Sequence, residues 1–448
     1  MHALVRFGFG GSPGNTLGGD PHTWLKAQLE GPDRGLASGV FAELPTGQAA
    51  LDVQREDALL RRQALAQAAG EGPMLPSPFK PMTRQLYIDD AAAQISFAAT
   101  TPAPFRERLV WFWANHFSVS ILQGDTAALV GPFIREAIRP NVTGHFADLV
   151  LAVERHPAML RYLDNNQSIG PDSPAGLKSH KGLNENLGRE CMELHTVGLE
   201  AGYSQTDVTN MAKLLTGWSV AATEEGGGGD LTGFKFRPKA HEPGPQIVMG
   251  REFPDGEAGG VQALRFLASY PTTYRRIATQ MAVHFIGDDP PNDAVEALYE
   301  TLSRTNGHLG AASAKLVDLG MASPPLTKLK TPLDYTVSLL RAAPPSTAPK
   351  PEQMLHLMAA MGQPVWSAPL PNGWPDTAAN WADPDLLLAR VDAAYSYAGI
   401  AGGTDPQTIA ANALGPLQAK ATIQAMQQAG SAREALALLF ASPEFQRR

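Results

Sequence analysis

The chain has almost no cysteine: Cys191 stands alone among 448 residues. That excludes an internal disulfide and any cysteine-rich metal knot. Long apolar runs are missing too, and none reaches the roughly 18 residues that a membrane helix needs. No basic block occurs, and 36 Lys+Arg against 44 Asp+Glu give a net charge of −8. Long-range attraction to nucleic acid or to an anionic lipid surface is therefore not expected. The opening MHALVRFGFGGSPG lacks a charged segment followed by a long apolar one. The expected location is accordingly cytoplasmic, with periplasmic export the alternative for a trimmed or co-exported chain. No HExxH or GxGxxG signature is present, so several common catalytic designs have no anchor.

What is present is the composition of a folded globular chain, 44% hydrophobic and 18% charged. Helical spacing dominates. The segment 52–70 is rich in helix formers and meets no breaker until Gly70. The segment 104–121 opens on Pro104, which suits a first helical turn. Its apolar stripe runs Phe105, Leu109, Phe112, Trp113 and then His116. Further helices are expected at 124–138, 144–163, 183–197, 205–217, 259–287, 292–305, 309–320, 330–342, 351–361, 378–398, 406–428 and 430–441. The connectors between them, among them 71–82 and 364–377, concentrate the 37 prolines and 43 glycines, which punctuate helices strongly. The clearest strand signals are GFKFR (233–237) and QIVMG (246–250), joined by PKAHEPGP. EEGGGGD (224–230) has the composition of a flexible loop and not of a phosphate loop. The expected architecture is mainly α, one large multi-helix domain over 1–448 with a small β-hairpin insertion around 233–250. A subdivision near 250–260 is the alternative.

The most polar helical stretch is NENLGRECMELHT (184–196). At about 100° per residue, Asn186, Glu190, Glu193 and Val197 share a narrow arc with Arg189 at its edge. Leu187, Cys191 and Leu194 form an apolar strip, and His195 lies nearly opposite Asn186, close to Gly188. Asn184 suits the N-cap, Gly198 the stop, and Ser204 with Asp207 a capping box for the next helix. A solvated face with an Arg189–Glu193 pair is one reading. The other is a buried polar cluster whose charges need partners. His116, on an aromatic face, suits either a core histidine or a ligand. His241 sits in a proline-flanked loop that could present it to a site. Asn115 is placed to orient a substrate. Asp164 and Asn165 end a helix, which makes them capping residues or contacts. Trp218 closes LLTGW, and Trp374 sits in PNGWPDTAANW as a plug or a platform. Cys191 lies in the apolar strip, an unpromising place for a nucleophile.

Taken together, ALVRFGFGGSPG, PFRERLVWFWANHFSVS, HPAMLRYLDNNQSIGP, the long piece from Gly182 to Val220, GFKFRPKAHEPGPQIVMG, HFIGDDPP, KLKTPLDYTVSLLRA, NGWPDTAANW and ASPEFQRR resemble the bacterial family called domain of unknown function 1800. The resemblance runs almost end to end. It covers Asn184-Glu185-Asn186, Arg189-Glu190, Glu193-Leu194-His195-Thr196, Gly202-Tyr203, Leu215-Thr216-Gly217-Trp218, Asn115-His116-Phe117 and His241. Cys191 departs from it, because many relatives carry an aliphatic residue there. The resemblance carries no established activity. It does imply a frequent neighbour gene, of the family called domain of unknown function 1501, which looks like the alkaline phosphatases and sulfatases.

Two classes of function remain open. One is a metal-dependent or acid/base enzyme, a hydrolase or an oxidoreductase, with its cluster in an inter-helix cleft. Glu190, Glu193, His195, Arg189 and Asn186 are its candidate catalytic groups. Asn115, Asp164, Asn165, Trp218 and Trp374 are candidate substrate contacts. His116, Glu190, Glu193, His195 and His241 are candidate ligands of a divalent Fe, Mn or Zn ion. The other class is a non-catalytic helical partner of the neighbouring family's product, in which the polar cluster specifies helix packing.

Overall fold

The computed structural model describes residues 1–14, 19–68, 81–123, 125–179, 182–221, 229–323, 326–345, 350–401 and 405–448. Among these residues helices dominate, and the strands form two short antiparallel pairs. Among the described residues, no helix is long and apolar enough to cross a membrane. The glycine loop at 224–230 and the connector at 71–82 fall mostly outside the described residues.

Proline decides where many helices break. The segment 144–163 forms Phe146–Arg155 and Pro157–Tyr162, and 259–287 forms Glu257–Ala268 and Pro271–Phe285. In both, the proline opens the second helix, where its missing N–H costs nothing, and it bars continuation of the first. A helix at Met82–Thr100 was not expected. Its small and apolar residues, Ala91, Ala92, Ile95 and Ala98 among them, are buried without making a clean stripe.

The strands pair differently from expectation. Phe234–Phe236 pairs with Trp218–Val220, and Gln246–Val248 pairs with Arg251–Phe253. The two expected strands therefore do not form a hairpin with each other. Met249 and Gly250, both at positive φ, make a tight two-residue turn that returns the chain at once. The proline-rich stretch between the strands turns at Pro238–Ala240 instead.

The apolar core has two clusters. The first gathers residues up to Val317 and spans both sides of 250–260. The second is built mainly from residues 335–445, with Phe9, Trp111 and the Met82–Thr100 helix added. Trp366 packs against both. The helix Pro104–His116 runs through the interior, and every residue from Pro104 to Trp113 is buried. Its three successive charges each have a partner: Arg106 faces Asp33, Glu107 chelates Arg139 at 2.6 and 2.8 Å, and Arg108 meets Asp334 at 2.7 Å. Unpaired, such groups would cost several kcal/mol apiece at that depth (on the order of 3–5).

Candidate functional site

The polar helix departs from a regular α-helix. Asn186–Glu190 is α-helical, and Cys191–His195 is a wide π turn. Thr196 Oγ1 donates to Cys191 O at 2.6 Å, and Gly198 N donates to Met192 O. The extra residue per turn shifts the phase, so the arc drawn at 100° per residue does not survive past Glu190. Arg189 pairs with Glu185 at 3.0 Å and not with Glu193. Glu185 also accepts from Thr209 and Gln205, tying this helix to the next, and those bonds hold its carboxyl below the usual range. Gly188 is required there, since a Cβ would stand 2.8 Å from Ala212 N.

The inward member of this stretch is His195. Its Nδ1–H donates to Glu154 at 2.6 Å, with both side chains at most 1% exposed. Glu154, on the helix Phe146–Arg155, is a partner the sequence did not disclose. His116 Nε2 donates to the carbonyl of His195 at 3.2 Å. Glu190 and Glu193 are half-buried and Asn186 is exposed. Burial raises the Glu190 carboxyl; His195 works against that, and Glu193 reinforces it. Burial also pushes the Cys191 thiol well above its ordinary range.

The other candidates separate. His241 is held through both nitrogens: Nδ1 donates to Thr216 O at 2.8 Å, and Nε2 accepts from Gly256 N at 2.7 Å. Asn165 donates to the carbonyls of Leu215 and Trp218, and Trp218 is fully buried. Asp164 is exposed, with φ +56. Among the described residues, no group of three His, Cys, Asp or Glu side chains is placed to hold a metal ion. The donor set His116, Glu190, Glu193, His195 and His241 is thus not assembled; His241 in particular has both ring nitrogens bonded to backbone groups.

Asn115, His116 and Trp374 do meet, in a cavity of about 330 Å³. Two helices face each other across it. Pro104–His116 presents Arg108, Trp111, Phe112, Asn115 and His116, and Pro271–Phe285 presents Arg276, Thr279, Gln280, Val283 and His284. Both sets follow the spacing i, i+3, i+4, i+7, i+8 of a single helix face. Arg108, early in the first helix, meets His284, late in the second; His116, at the end of the first, faces Gln280 and Arg276. The helices are therefore antiparallel, and the cavity is a slot with two chemically different ends. Residues 363–376 cover it. Asn115 anchors this cover by donating to Trp374 O at 2.9 Å and accepting from Trp374 N at 2.8 Å. Lining residues belong to both apolar clusters, so the slot lies at their seam.

One end holds a second histidine–carboxylate pair. His284 Nδ1–H donates to Asp376 Oδ2 at 2.8 Å, with side chains 13% and 24% exposed. Arg108 Nε–H donates to His284 Nε2 at 3.4 Å. Arg448 ties the floor together, reaching Asp334 at 2.9 Å, Asp376 at 3.0 Å and the carbonyl of His284. Lys328 stands 3.6 Å from Asp376. Burial lowers the His284 imidazole to about 4, against the opposing pull of Asp376. Burial raises Asp376, but His284, Arg448 and Lys328 together hold it far below the ordinary carboxylate range. His116, at the other end, is lowered to about 3 by burial, with His195 and Arg276 adding to the effect.

The family model for proteins of unknown function, DUF1800, matches residues 2–447. The chain belongs to the DUF1800 family. Comparison with curated proteins and with solved structures gives no match. In this DUF1800 protein the family-like pieces, far apart in sequence, converge on one floor. PFRERLVWFW brings Arg108, HFIGDDPP His284, KLKTPLDY Asp334, NGWPDTAANW Asp376 and ASPEFQRR Arg448. None of these five was singled out as a site residue from the sequence. The available signal was their position inside those pieces, together with the polar stripe 276/279/280/284.

Proposed function

We propose that this DUF1800 protein is an acid/base hydrolase acting on a small molecule held in the inter-helix slot. One observation supports this most: an Asp376–His284 pair with its imidazole partly exposed to a cavity. The imidazole is neutral at pH 7, because burial has lowered it. Its Nδ1–H is committed to Asp376, and its Nε2 lone pair, the base in this reading, accepts a long 3.4 Å bond from Arg108 Nε–H that an incoming water must displace. In the proposed step, Nε2 takes a proton from water while the water oxygen bonds to an ester or amide carbon. The imidazolium formed is stabilised by Asp376, and its proton then passes to the leaving alcohol or amine. Arg108, beside the same imidazole, is a cation next to the charge that develops. Asp376 and Arg448 position the base and do not touch substrate. The expected groups Asn115, His116 and Trp374 belong to the slot in this reading, whereas Glu190, Glu193 and His195 support its wall.

The test is a panel of carboxylic esters, amides, lactones, phosphate esters and sulfate esters, followed by product release. Hydrolysis lost in His284→Gln, with the fold retained by circular dichroism, is the expected result. Equal hydrolysis by wild type and His284→Gln, or no turnover of any member of the panel, overturns the proposal.

A further inference from the structure

The slot's second end carries a cation with unused capacity. Arg276 makes no ion pair within bonding reach among the described residues, and its buried Nε–H has no acceptor. Burial lowers its guanidinium somewhat, and Glu200 and Glu193 act on it only through space. A half-buried guanidinium on a cavity wall, without a hydrogen-bonded counterion, gains most from an anion that fits its planar donors. Arg276 and His284 lie eight residues apart on one helix face, a separation of about 12 Å at 1.5 Å per residue. Between the two ends one wall carries Thr279, Gln280 and Val283, and the other is aromatic, with Trp111 and Trp366 stacked at 6.5 Å and Phe112 beside His284. Trp366 sits at φ +50, an unfavourable conformation for so large a side chain, which the surrounding packing holds in place.

We infer that the slot takes an extended organic monocarboxylate, with its carboxylate on Arg276, its apolar body along Trp111 and Trp366, and its reacting group at His284. This deepens the hydrolytic reading and rests on it for the reacting group alone. The carboxylate is preferred to a dianion because Glu193 and Glu200 already stand near the single guanidinium. A second negative charge there would meet repulsion without a second cation.

Tryptophan fluorescence of the full chain, titrated with octanoate, octanol, octylamine and octyl phosphate, tests the inference without requiring turnover. Octanoate should quench saturably and bind at least tenfold more tightly than octanol or octylamine. Arg276→Gln should weaken octanoate about tenfold or more while leaving octanol unchanged, and Arg276→Lys should fall between. Octanol or octylamine binding as well as octanoate overturns the inference, and so does an Arg276→Gln protein with full octanoate affinity. Octyl phosphate binding more tightly than octanoate overturns the choice of a carboxylate. If Arg276→Gln fails to fold, Arg276→Lys and the wild-type series decide. A protein that binds octanoate through Arg276 yet hydrolyses nothing keeps this inference and fails the hydrolytic one.

Discussion

Two of the histidine–carboxylate pairs among the described residues share the same chemistry and differ in access. His195 and Glu154 meet at 2.6 Å with essentially no exposure; His284 and Asp376 meet at 2.8 Å with a partly open face. The first joins a π turn to the helix Phe146–Arg155, and its neighbours are core side chains. The second stands on the floor of a slot, roped to Arg108, Arg448 and Lys328. The geometry of the two bonds is nearly equal, so the bond does not distinguish a packing element from a site. What distinguishes them is whether a ligand can reach the imidazole.

The same substitution at both histidines breaks or sharpens that contrast. His195→Gln should lower stability by about 3–5 kcal/mol, because it strands a fully buried Glu154. His284→Gln should cost clearly less stability and lower turnover at least about 100-fold. Denaturant unfolding and initial rates measure the two effects, and equal stability losses would erase the distinction. The next effect is acid sensitivity. His284 and His116 have folded values lowered to about 4 and about 3, below the unfolded value of 6.5. The unfolded chain therefore binds more protons once pH drops below about 6.5. Stability is full above that pH and declines as pH falls toward 4, by at most about 1.4 kcal/mol per pH unit for each histidine. Turnover should follow the neutral form of His284 and fall with a midpoint near pH 4. A rate midpoint near 6.5 would place the base elsewhere. Asn115→Ala should cost about 1–2 kcal/mol, since two hydrogen bonds to the cover at Trp374 are lost, and should raise KM more than it lowers kcat. Smallest of all, Asn186→Ala, on the exposed side of the polar helix, should change stability by no more than about 0.5 kcal/mol and leave turnover unaltered.

The opening of the helix Gln205–Leu215, which follows the polar stretch, illustrates what can be read from residues alone. Ser204 and Asp207 do form a reciprocal capping box, because capping depends on neighbours within one turn. The phase of His195 could not be read, because a π turn depends on what packs against it. Glu154 is a comparable case. It lies 41 residues from His195, in a helix whose sequence looks ordinary. Asn115 and Trp374 were recognisable as unusual residues, yet that they bond to each other across 259 positions was not.

Composition and spacing by themselves settled that this chain would be a mainly helical globular protein without an internal disulfide, and that Pro104 would open a helix. Those outcomes follow from backbone geometry, propensity and charge, all of which act over a few residues. Only the tertiary structure decided that Arg108, His284, Asp334, Asp376 and Arg448 share one floor, that the two core clusters meet along a slot, and which of two similar histidine pairs opens onto it. Burial and long-range contact set those features, and neither is a property of any local window of sequence.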